Sequence, residues 1–192
     1  MYFERINIMS DMLVKLYNVE DCPEVEAALK AEGIHIVKAL SPDKHRVIPF
    51  IKTFSEGWGS ECEAAFANNP HTIYIAVKDK KVIGFAAYDA TARGFFGPTG
   101  VDPEYRRKGI GRVLMVKCFN SMKEMGYGYA IIGWAAKSAV KFYQEYAGAQ
   151  IIEDSFPGVY GRLVNVVGQP PRDEKPAPAA NVAEKSPEEK KD

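Results

Sequence analysis

Between 101 and 115 the chain reads VDPEYRRKGIGRVLM, and its residue types point to an anion site. Arg106, Arg107, Lys108 and Arg112 bring positive charge, Gly109 and Gly111 bring bare backbone, and the apolar residues that follow begin a helix. The first turn of a helix carries amide N–H groups with no partner inside it, and glycine lets another molecule approach them. Two familiar phosphate cradles fail on their spacing. G-x-x-x-x-G-K-[ST] is absent, and Leu114 stands where a dinucleotide fingerprint needs a third glycine. What remains is Arg106-x-x-Gly109-x-Gly111.

Such a loop needs a strand to enter it and an amphipathic helix to leave it. The pattern predicts a strand at 12–19, a short helix at 23–33 with Pro23 in its first turn, a strand at 34–40, and a helix after Ser41 that Pro49 interrupts or restarts. A helix at 60–69 and a hairpin of strands 72–77 and 82–88 follow. Next come the strand FFGPTGV at 95–101 and the helix after Gly109, with Ile110, Leu114, Cys118, Met122 and Met125 inward and Gly126 as its stop. The strand YAIIGW at 129–134, a helix at 137–147 ended by Gly148, and strands near 150–152 and 160–166 complete the reading. Pro98 in a strand fits an edge, a bulge or a place where strands part.

With 192 residues, 46% of them apolar, and zero net charge, the chain suits one compact domain with an appendage. Neutrality gives no electrostatic case for nucleic acid or anionic membrane as the main partner, and no apolar run is long enough to span a bilayer. The N-terminus lacks the order of a signal peptide, so a cytoplasmic protein is expected. Cys22, Cys62 and Cys118 are odd in number and far apart, which suits a reducing compartment. His35, His45 and His71 have no metal-ligand spacing, so no metal site is expected. The stretch 169–192, rich in Pro, Ala, Glu and Lys, is expected to be disordered.

The hairpin, the VDPEYRRKGIG lead-in, YAIIGW and AVKFYQEYAGA (139–149), in that order, resemble the GNAT superfamily of N-acetyltransferases. Their pyrophosphate motif is [QR]-x-x-G-x-[GA], matched here by Arg106, Gly109 and Gly111. The resemblance covers 34–166. It implies an α/β fold (α+β by some schemes): a mixed, mostly antiparallel sheet, splayed between the strands at 95–101 and 129–134 and flanked by helices. The expected domains are an N-terminal extension at 1–33, the acetyltransferase domain at 34–168 and the tail at 169–192.

The resemblance also implies acetyl-CoA as acetyl donor. Its pyrophosphate would lie on the backbone amides of Arg106, Arg107, Lys108, Gly109, Ile110, Gly111 and Arg112, and its pantetheine arm between the splayed strands. The Val101 amide would face the oxyanion, and Tyr143 would protonate the departing thiolate. Two features depart from the family pattern. Ala136 replaces an asparagine that steadies the arm, leaving Lys137 or Ser138 as substitutes, and FFGPTGV carries no carboxylate to act as base. Glu61, Glu63 and Asp89 are the remaining candidates, Glu61 first, with Trp58 beside it as a wall of the acceptor pocket.

The resulting expectation is direct acetyl transfer to a primary amine. Neutral charge favours a small-molecule amine over a protein amine. A non-catalytic acyl-CoA sensor is the alternative. The N-terminal strand and helix could cover the sheet edge, join a homodimer or narrow the acceptor pocket.

Overall fold

The computed structural model describes residues 10–164. Seven strands form one sheet: β1 (Ser10–Lys15), β2 (His35–Lys38), β3 (Ile73–Lys78), β4 (Lys81–Tyr88), β5 (Phe95–Val101), β6 (Tyr129–Ala135) and β7 (Gln150–Ile151). Their order is β2-β3-β4-β5-β6-β1-β7, and every adjacent pair is antiparallel except β5 and β6. Helices α1 (Pro23–Ala31), α2 (Lys44–Lys52), α3 (Glu56–Ala67), α4 (Ile110–Glu124) and α5 (Lys137–Ala147) flank it. The expected mixed, mostly antiparallel sheet is present.

Strand alternation divides the core. On β3 and β4, Ile73, Ile75, Phe85 and Ala87 pack with Val47, Ile48 and Ile51 of α2 and with Cys62 and Phe66 of α3. Ala76, Ala86 and Tyr88 turn the other way, toward Leu114, Cys118 and Met122 of α4. Met125, expected inward, is 47% exposed because it sits at the C-cap, past the last buried turn. α2 runs through Pro49 without a break. The ring lies on the exposed face, while Val47, Ile48 and Ile51 hold the helix to the sheet on either side of it.

The N-terminal strand is an interior strand of the sheet. β1 lies between β6 and β7, and Met12, Val14 and Leu16 are fully buried. Three polar contacts tie α1 and its flanks to α4 and the loop before it: Glu26 to Lys117 (2.8 Å), Glu32 to Lys108 (2.6 Å) and Asn120 Nδ2 to Asp21 Oδ1 (2.6 Å). The expected strand at 160–166 is instead a 3-10 turn, Gly158–Arg162, with 165–166 outside the described residues. Pro157, Gly158 and Gly161 favour a turn, and Tyr160 spends its ring on Trp134 rather than on a sheet face. The stretch 169–192 also lies outside the described residues.

The strands β5 and β6 pair only at Phe95 with Ile131 and Phe96 with Ile132, then part. A bulge on each coincides with the parting. Against β4, Ala86 faces Thr99 but Tyr88 faces Phe96, so Gly97 and Pro98 oppose the single residue Ala87. Against β1, Ser10 faces Ala135 but Met12 faces Ile132, so Gly133 and Trp134 oppose Asp11. Each extra residue bends its strand and ends regular pairing.

Asp11 holds the second bulge. It is only 6% exposed, its Oδ1 accepts the Trp134 N–H at 2.9 Å, and its own N–H donates to Ser155 Oγ at 2.8 Å. Trp134 takes a left-handed φ of +43°, a strained state for a bulky residue that needs such support. Asp11→Ala should therefore lower unfolding stability by about 2 kcal/mol in denaturant titration, since a buried N–H loses a charged acceptor. Asp11→Asn, which keeps an amide oxygen, should lose clearly less; equal losses would mean that the bulge does not depend on this bond.

Candidate active site

The loop predicted from sequence forms one wall of a cleft of about 880 Å³. Asp102 caps a 3-10 turn at Pro103–Tyr105 by accepting the Glu104 N–H, and the chain then turns through Arg107 (φ +64°) and Gly109 (φ +89°) into α4. The first helical bond runs from Val113 N–H to Gly109 C=O at 3.1 Å. The amides of Ile110, Gly111 and Arg112 therefore have no partner in the helix. Ile110 buries its side chain in the core and can offer only its backbone.

Gly109 is required twice. Its φ disfavours any side chain, and a Cβ there would collide with Val25 of α1, which also lines the cleft. Gly111 differs: its φ is ordinary, and a Cβ would only touch Phe142 (3.7 Å) and Val101 (3.8 Å). The N-terminal helix thus packs against the loop itself.

Each basic residue has a distinct setting. Arg106 Nε donates to the Val101 C=O at 3.0 Å and ties the loop to the end of β5. Lys108 is held by Glu32, which this pairing pulls below its ordinary pKa. Arg112 lies with its guanidinium carbon 4.9 Å from the Tyr146 ring centre, and its Nε is buried with no protein partner. A buried orphan donor beside three unpaired amides fits an oxyanion ligand such as a pyrophosphate.

The edge of β5 continues the donor line. Asp102 N–H donates to Ile83 C=O at 2.9 Å, so by strand alternation the N–H groups of Thr99 and Val101 point away from β4 into the gap toward β6. Ser138 lines the cleft near Ala136, the position without an asparagine. Ala136 itself provides no side-chain cap to α5.

Beyond the gap lies a second pocket of about 310 Å³. Tyr143 lines both spaces, and burial pushes its phenol up to about 12. Glu61 lines the second pocket, accepts a hydrogen bond from Thr91 Oγ1 at 3.0 Å, and is raised above the ordinary carboxylate value by burial, partly offset by Thr91. The helix expected from 60 starts earlier, at Glu56 under a Ser55 cap, so that α3 carries Trp58 as well as Glu61. Gly57 and Gly59 hide that earlier start from sequence, since both lower helix propensity.

Two of the base candidates do not reach the pocket. Asp89 is occupied, with Oδ1 accepting the Gly94 N–H (2.7 Å) and Oδ2 the Tyr127 hydroxyl (2.8 Å). Glu63 lies exposed on α3. Phe142 packs edge-on against Tyr143 and Tyr146, both 5.3 Å away between ring centres. Cys118 is fully buried, its thiol pushed well up by burial, and its Sγ donates to the Ala86 C=O at 3.6 Å.

Sequence reasoning did not find Asp11, Val25, Thr91, Trp134 or Tyr160. Tyr160 lies so close on Gly133 that no Cβ would fit there, and its ring stacks on Trp134 with centres 4.3 Å apart. An isolated glycine in a strand signals a bulge or a close approach, so Gly133 was the available clue.

Residues 42–149 match the acetyltransferase (GNAT) family. Among solved structures, a GCN5-related N-acetyltransferase from Sphaerobacter thermophilus is similar with a TM-score of 0.56 and 19% identity, over 74% of this chain and 48% of that one. The GCN5-related glucosamine N-acetyltransferase region of a fungal multi-domain GH3 β-N-acetylglucosaminidase has a TM-score of 0.61 and 14% identity, over 76% of this chain and 20% of that one. The chain thus spans about half of the first and a fifth of the second, and at these identities the likeness is one of fold. With more than half of its length matched, and with the splayed sheet and glycine loop in place, the chain belongs to the GNAT acetyltransferase family.

Proposed function

We propose that the protein is an acetyl-CoA-dependent N-acetyltransferase that passes the acetyl group directly to a primary amine of a small molecule. Family membership supplies the reaction class, acetyl transfer from acetyl-CoA. The observation that carries the finer reading is that Tyr143 lines both the loop-walled cleft and the second pocket, so a donor in one and an acceptor in the other can meet beside one phenol. A protein that only sensed the cofactor would have no use for the second pocket. The three buried, unpaired thiols of Cys22, Cys62 and Cys118 support a reducing, cytoplasmic setting. Among the described residues no helix is long and apolar enough to cross a membrane.

Acetyl-CoA supplies an acyl group on a thiol, which leaves more readily once its sulfur is protonated. In this reading the amides of Ile110, Gly111 and Arg112, with the Arg112 guanidinium, hold the pyrophosphate, while the Thr99 and Val101 amides extend the edge of β5. Val101 N–H donates to the oxygen of the attacked carbonyl, where charge develops. Glu61 takes a proton from the attacking amine as the C–N bond forms. Tyr143 gives a proton to sulfur as the C–S bond breaks, and solvent exchange restores both side chains. The high Tyr143 pKa keeps its proton in place until the thiolate appears, and the same burial makes that thiolate more basic than in water.

Three outcomes check the assignment. Gly111→Glu adds a carboxylate where a Cβ makes only ordinary contacts and should reduce acetyl-CoA affinity by about a hundredfold or more in calorimetry. Unchanged affinity would remove the loop from the site. Tyr143→Phe should lower kcat by roughly 10²-fold with little change in cofactor affinity; equal rates would exclude Tyr143 as the acid. Glu61 must be ionised to act as base, so kcat at saturating amine should fall as pH drops through a value above 4.5, and Glu61→Gln should slow the reaction and abolish that acid limb. An acid limb that persists in the variant would assign the base elsewhere.

A further inference from the structure

The second pocket is narrow in its chemistry. Its wall includes Trp58, Phe96, Pro98, Trp134 and Tyr160, and among the described residues Glu61 is its only carboxylate, with no lysine or arginine in the lining. The aromatic rings are fixed before any ligand arrives. Trp134 stacks with Tyr160 (4.3 Å, 28° between planes) and with Phe156 (5.5 Å, 18°), and Trp58 stacks on Phe54 (6.4 Å, 23°) and meets Phe85 edge-on (6.2 Å). Asp11 anchors the Trp134 side from behind, with its Oδ1 already engaged by a backbone amide.

We propose that this pocket selects a monoamine carried on a compact apolar or aromatic body, with its nitrogen at Glu61 and its body against the Trp134–Tyr160 stack. This rests on the acetyltransferase reading and adds the acceptor class to it. The volume of about 310 Å³ suits a compact body of small-molecule size. A single carboxylate can match one ammonium. The Thr91, Thr99, Tyr143 and Tyr160 hydroxyls and the Trp134 Nε1–H, buried with no protein partner, can pair a neutral polar group but cannot neutralise a second positive charge. A polyamine or an aminoglycoside would therefore have to leave its further charges in water or bury them without a counter-ion. A flat apolar body instead meets preformed rings, and a nitrogen beside Trp58 gains from the ring face.

The chain has two tryptophans, Trp58 and Trp134, and both line this pocket. Intrinsic tryptophan emission therefore reports its occupancy without turnover. We would titrate the full-length protein, with coenzyme A present, with 2-phenylethylamine, isopentylamine, spermidine and glucosamine, and follow thiol release from acetyl-CoA with the same amines. The expected result is a saturable emission change with the first two amines, at least about tenfold tighter than with spermidine or glucosamine, and the same order in thiol release. Tyr160→Ala should weaken 2-phenylethylamine binding, while Tyr160→Phe, which keeps the ring, should retain it. Tighter binding of spermidine or glucosamine, or no emission change with any of the four, would overturn the acceptor class. The two claims fail separately: tight 2-phenylethylamine binding with no thiol release from any amine would support the class and sink acetyl transfer, whereas release only with spermidine or glucosamine would support transfer and sink the class.

Discussion

Everything at the site depends on two neighbouring strands being kept apart. A parallel pair would normally continue to exchange hydrogen bonds along its length, yet β5 and β6 stop after two residue pairs. Bulges at Gly97–Pro98 and Gly133–Trp134 bend both strands, and each bulge is imposed by the strand on its outer side, β4 for one and β1 for the other. The gap exposes backbone donors that a closed sheet would consume. It also joins the cleft walled by the glycine loop to the aromatic pocket, with Tyr143 at the junction.

The segments outside the family-matched stretch of 42–149 build much of this arrangement. β1 lies within the sheet and brings Asp11 to the Trp134 bulge, α1 presses Val25 against Gly109, Glu32 just after it holds Lys108, and the turn at Gly158–Arg162 adds Tyr160 to the second pocket. The loop and Tyr143 thus come from the matched segment, and part of the aromatic wall from the segment that follows it. Charge follows the same division. The loop-walled cleft is rich in amides and guanidinium groups, whereas the second pocket has, among the described residues, one carboxylate among rings.

What could be read from sequence was what is encoded locally. The basic run with Gly109 and Gly111 announced the loop, the 3.6-residue spacing of Ile110, Leu114, Cys118 and Met122 announced α4, and Pro98 announced the irregular strand. Tyr143 and Glu61, singled out from sequence, both line the second pocket. What was hidden was encoded by distant partners. Asp11 and Trp134 are 123 residues apart, and YAIIGWA reads as an unbroken strand until Asp11 is set opposite it. The apolar residues near 160 look like a strand by alternation alone, and only the position of Trp134 shows why Tyr160 leaves the sheet. Lys108 looks like a phosphate ligand in sequence, yet Glu32 from the N-terminal helix has claimed it.

The central claim is that the gap between β5 and β6 receives the acetyl donor along the free edge of β5. Site-resolved amide hydrogen exchange, with and without acetyl-CoA, tests it at the atoms concerned. The account predicts that the Thr99 and Val101 amides, open to the gap in the free protein, slow by about tenfold or more on binding, together with those of Ile110 to Arg112. Binding that protects other amides while Thr99 and Val101 exchange as before would contradict it.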